Sequence, residues 1–201
     1  MPRRRASVAL AVCVPLVLLG TACSGGDGGS STPTAGSPSG STSAGTVVSG
    51  ERVYTGLTRN HVDGEVAYPQ SPPVGGDHSP VWVPCDGRVY SEPVPNVNAV
   101  HSMEHGAVWV TWQPSLATAE IETLHAEIEG IDYRFGSPYP GLTAPITLTA
   151  WGHQMDATSA TDPRIATFLA AYTDGPQTPE PGATCAGPAD GTSMTPDVHT
   201  S

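Results

Sequence analysis

The stretch VHSMEHGAVWVTW, Val100 to Trp112, restricts this chain more than any other. Pro93 and Pro95 lie upstream, and proline lacks the backbone N–H that a regular element needs, so Ser91 to Val97 reads as extended loop. Asn98 then caps a single helical turn through Ala99 to His105, and Gly106 supplies the left-handed residue that stops it. Ala107 to Trp112 follows at once as a β-branched and aromatic strand, the strongest in the chain. A turn feeding straight into a buried strand sets His101, Glu104 and His105 at the edge of the core.

Around that stretch the other elements are spaced for one domain. Val47 to Tyr54 reads as a first strand and His61 to Val66 as a polar turn with strand flanks. Tyr68 to Pro80, dense in Pro and Gly, is an ordered loop. Val81 to Val83 is a short edge strand, and Asp86-Gly87 turns the chain into Arg88-Val89-Tyr90. Pro114-Ser115 opens a helix in which Leu116, Ile121, Leu124 and Ile128 recur at helical spacing, with Glu120, Glu122, Glu127 and Glu129 on its solvated face and Gly130 at its end. Tyr133 to Tyr139 is short and rich in Gly and Pro. Ile146 to Trp151 is a second strong strand, and Asp162-Pro163 starts a last helix with Ile165, Phe168, Leu169 and Tyr172 as its apolar stripe. Strands outnumber helices and the two helices follow the two best strands. The fold class is α+β: a small mixed or antiparallel sheet with two flanking helices packed on one face.

The ends of the chain set its address. Arg3, Arg4 and Arg5 precede an apolar run from Val8 to Leu19, too short to span a membrane, and Leu18-Leu19-Gly20-Thr21-Ala22-Cys23 resembles a bacterial lipobox. That resemblance implies a lipoprotein signal peptide over 1–22, lipid attachment at Cys23, and a domain anchored to the membrane on its extracytoplasmic side. Residues 23–46, almost all Ser, Gly, Pro and Thr, form a flexible tether, 47–186 the α+β domain, and 187–201 a disordered tail. Once the signal is removed, Arg52, Arg59, Arg88, Arg134 and Arg164 face nineteen acidic residues, a surface that excludes nucleic acid as a partner. Of four cysteines, Cys13 leaves with the signal and Cys23 takes the lipid. Cys85 and Cys185 remain to pair as a disulfide outside the cell; a Cys85 thiolate serving as metal ligand is the alternative.

Chemistry concentrates at His78, His101, Glu104, His105 and His153, with Met103 and Met155 among them. In a helical turn His101 and His105 share a face about 6 Å apart, within reach of one ion. Extended, they would stand about 13 Å apart and could not share it. Imidazole with carboxylate suits zinc; imidazole with thioether suits copper. His153 and Met155 share a face if that segment is extended. His78, His101 and His105 are therefore the candidate metal ligands, with Glu104, His153 and Met155 as further ones and Glu104 as the base if the site is catalytic. His101 to His105 also fits the zinc-protease pattern H-x-x-E-H, but a single turn is too short for that helix. Three readings stay open: a bound copper or zinc ion, a hydrogen-bond network without metal, and a metal-dependent hydrolase.

Pro72-Pro73-Val74-Gly75-Gly76-Asp77-His78, Gly87-Arg88-Val89-Tyr90, Val100-His101-Ser102-Met103-Glu104-His105-Gly106-Ala107-Val108 and Thr149-Ala150-Trp151-Gly152 together resemble the DUF3105 family of uncharacterised bacterial proteins, often anchored or secreted. The resemblance runs from roughly Tyr68 to Cys185. The family commonly has Leu where this chain has Met103, which implies that Met103 is core rather than ligand. It implies no activity.

Overall fold

The computed structural model describes residues 48–187. The signal over 1–22, Cys23, the tether over 23–46 and the tail after Gly187 lie outside the described residues. Nine elements follow in order: β1 (Arg52–Val53), β2 (Asp86–Val89), α1 (Asn96–Glu104), β3 (Val108–Trp112), α2 (Thr118–Ile128), β4 (Arg134–Pro138), β5 (Ile146–Ala150), β6 (His153–Ala157) and α3 (Pro163–Tyr172). The strands form one mixed sheet in the order β1-β6-β5-β3-β4-β2. β3 sits at its centre, parallel to β4 and antiparallel to β5, and β2 is parallel to β4. The class is α+β, with a larger sheet than expected.

Alternation along the strands divides the core in two. Val108, Val110 and Trp112 of β3, Ile146, Leu148 and Ala150 of β5, and Met155 and Ala157 of β6 face α2 and α3. Trp109 and Phe135 face the other way, toward Ala99, Val100 and Met103 of α1. Both faces are therefore covered by helices, not one. The second face is also partly polar: Thr111, Thr147, Thr149 and Gln154 are buried on it. The threonines bond within the sheet, while Gln154 and the Gly152 N–H hold the Pro/Gly loop down on this face, because a buried polar group needs a partner. Gln154 Nε2 donates to the Pro72 carbonyl at 3.0 Å, and Gly152 N donates to the Val74 carbonyl at 2.7 Å.

Several local expectations are corrected. The single turn is a helix of nine residues that starts at Asn96 behind Pro95. Asn98 does not cap it; its side-chain amide donates instead to the Val81 carbonyl at 2.7 Å. Val81 to Val83 form no strand, because that segment spends its hydrogen bonds on α1 side chains: the Ser102 hydroxyl donates to the Val83 carbonyl at 2.6 Å. Gly87 lies inside β2 at a register shift rather than in a turn. The first strand shrinks to Arg52 and Val53. Tyr133 to Tyr139 contains β4, a central strand despite its Gly and Pro. Gly136 is required there because a Cβ would come within 2.8 Å of the Trp112 ring and 2.7 Å of Ile128.

Other expectations hold. Asp162 caps α3 through the Arg164 N–H, with Pro163 at its start. Cys85 and Cys185 are joined as a disulfide. At the end of α1, Gly106 has φ 108°, and Gly106 N and Ala107 N donate to the carbonyls of Met103 (3.0 Å) and Ser102 (3.1 Å). This terminator leaves a single residue, Ala107, between Gly106 and β3.

Candidate metal centre

Three segments converge on the face covered by α1. His101 and Glu104 come from its last turns. His78 ends the Pro/Gly loop, and His61 stands beside it because the two segments pair as an isolated parallel bridge, Val62 N donating to His78 O at 2.8 Å and His78 N to Asn60 O at 3.0 Å. One ligand atom from each of His61, His78, His101 and Glu104 lies within 4.8 Å of every other. The imidazole rings of His61, His78 and His101 have centroids 4.8 to 5.0 Å apart.

Backbone carbonyls orient the rings. His78 Nδ1 is 2.8 Å from Gly76 O, His101 Nδ1 is 2.7 Å from Ser79 O, and His105 Nδ1 is 2.8 Å from Thr184 O. A carbonyl only accepts, so Nδ1 carries a proton in each ring, and in a neutral ring Nε2 keeps its lone pair. Metal-binding histidines are held in this way by their outer nitrogen. Burial pulls His101 down to about 4, only partly offset by the Ser79 carbonyl, and the neighbouring imidazoles pull it further. Burial also lowers His105. Both rings are therefore neutral near pH 7, the form that ligates.

Glu104 completes the set. Its side chain is 3% exposed and that of His78 is fully buried. His78 Nε2 and Glu104 Oε2 stand 2.8 Å apart, an ion pair when a proton lies between them, and neither atom has any other hydrogen-bond partner among the described residues. His61 Nε2 is 3.7 Å from the same oxygen, and no arginine is paired with Glu104 among the described residues. A buried carboxylate this close to a buried imidazole nitrogen needs positive charge between them, either a proton or a metal ion.

The other candidates lie elsewhere. The His105 ring is 4.6 Å from that of His101, but His105 is outside the convergent four. His153 and Met155 do share a face, and it is the opposite one. The His153 ring stacks on Tyr172 and hydrogen-bonds Glu51, while Met155 is buried in the α2/α3 core. Met103 is fully buried on the inner side of α1, so no thioether among the described residues joins the cluster. Reading the sequence overlooked His61. Nothing in its local pattern marks it, since only the bridge to the loop at His78 brings it in.

A family model described as "Protein of unknown function (DUF3105)" matches residues 61–187. No curated protein and no solved structure matches the chain.

Proposed function

The chain belongs to the DUF3105 family, and we propose that its domain binds a divalent transition metal through His61, His78, His101 and Glu104. The observation that carries this is the convergence of one ligand atom from each of the four residues within 4.8 Å, with the rings of His78 and His101 held at Nδ1 by backbone carbonyls. Three imidazoles and a carboxylate make a donor set for zinc, or for copper(II), and neither described thioether, Met103 or Met155, reaches it to favour copper(I). Four protein donors fill a tetrahedral ion, so the site holds metal rather than opening a position for water. The lipobox at Cys23 supports a lipid-anchored location, which would keep this binding module at the cell surface.

A second reading rests on the 2.8 Å approach of His78 to Glu104. A proton between them would make the cluster a hydrogen-bond network that pins the loop to α1. Metal analysis of the purified full chain, before and after dialysis against chelator, separates the two. About one zinc or copper ion per chain is expected. It should be lost in His78→Ala and His101→Ala variants that keep the circular dichroism of the parent. A folded parent that neither carries metal nor takes up added zinc would leave the network reading.

A further inference from the structure

The convergent four do not end the row of imidazoles. His105 follows His101 by one helical turn, their rings 4.6 Å apart and nearly perpendicular. Its Nδ1 is committed to the Thr184 carbonyl, so its Nε2 also presents a lone pair. That atom lies 3.9 Å from Glu180 Oε2, on a side chain that is 50% exposed. Trp82 lies against both rings, 5.5 Å from His101 and 5.0 Å from His105, and its indole N–H donates to the Ala186 carbonyl. Glu180 is placed by its own backbone, since Glu180 N donates to the carbonyl of Glu104 at 3.1 Å. A row of donors thus leads from the interior, through His101 and His105, to a carboxylate in solvent.

Resting on the metal-binding reading above, we propose that His105 and Glu180 form a second, outer cation position beside His101, through which the ion enters and leaves a site whose other rim is the half-exposed His61. Exchange then proceeds by ligand substitution. The ion gains the His105 nitrogen and the Glu180 oxygen as it gives up inner donors, and it is never left with water alone. No electron or proton transfer is required. The arrangement suits a protein that hands metal on more than one that locks it away.

The test is the rate at which zinc-loaded full chain releases zinc to a colorimetric chelator in excess, for the parent, His105→Ala and Glu180→Gln. Glu180→Gln keeps the shape of a half-exposed side chain and so guards against a variant that fails to fold. If the proposal is right, both variants hold the same zinc stoichiometry as the parent and release it several-fold more slowly. Release that is unchanged or faster would overturn it, because a residue that only covers the site would speed exchange when removed. Loss of the ion from folded His105→Ala would also overturn it, by making His105 an inner ligand. A parent that binds no zinc would instead sink the metal-binding reading itself.

Discussion

Glu51 shows how much one side chain can settle. Its carboxylate is buried and accepts from Tyr172 Oη at 2.6 Å, from Val48 N at 3.0 Å, and from His153 Nδ1. Burial raises its pKa, but the three hydrogen bonds outweigh burial and bring it below the ordinary 4.5. A folded-state value below the unfolded one contributes stability above that pH, and the contribution is lost as the pH falls through it. Glu51→Gln should therefore destabilise the domain by roughly 1.5–3 kcal/mol, the usual worth of hydrogen bonds to a charged group. It should also weaken the acid dependence below about pH 4.5, where carboxylates protonate. Urea titrations of parent and variant at neutral and acid pH check both, and equal midpoints at neutral pH would refute the first. Legibility at this scale was uneven. Strand periodicity told that His153 and Met155 share a side, but not which side; α3 occupies it, so His153 belongs to Glu51 and Tyr172 instead of the metal centre. His101 and Glu104 were legible because three residues on a helix bring them together. His61 was not, since a bridge between distant loops leaves no local pattern.

Among the elements, the ones read correctly are those whose own residues decide them. The apolar stripe of α3 with its Asp-Pro start, and the β-branched runs of β3 and β5, need no help from elsewhere. β4 was missed because its Arg, Gly, Ser and Pro are poor strand formers alone, and only the parallel neighbours β2 and β3 on either side make it one. The extra turns of α1 were missed for a related reason. Its polar face is buried under the 79–83 segment, so tertiary hydrogen bonds, not periodicity, extend it. Gly87 is the sharpest case. Its φ is +81°, and a Cβ there would stand 2.4 Å from Gly130 N and 2.5 Å from Ile131 N, both backbone atoms. Gly87→Ala must therefore part β2 from the end of α2 as well as strain its own backbone. Overpacking and left-handed strain each cost about 1–3 kcal/mol. A marked drop in melting temperature is expected, and an unchanged one would mean that the two chains separate freely.

At the scale of the molecule, the pairing of Cys85 with Cys185 was legible from the sequence. Cys85 and Cys185 close a loop spanning 100 residues and hold the last described segment against the sheet. Replacing both with Ser should lower unfolding free energy by about 4.7 kcal/mol if chain entropy governs. Denaturant midpoints of oxidised parent and double variant measure it, and a negligible difference would show that the hydrogen bonds of residues 183–186 suffice by themselves. The two-sided covering of the sheet was not foreseen, because alternation reveals that a strand has two buried sides without saying what lies on each.

The candidate ligands His61, His78 and the His101–Glu104 pair sit on three stretches that meet only when the bridge and the loop have formed. The denatured chain therefore offers no comparable pocket for a cation. By thermodynamic linkage, occupancy and the folded state would rise and fall together, so the ambient concentration of free ion would help set how much of the population is native.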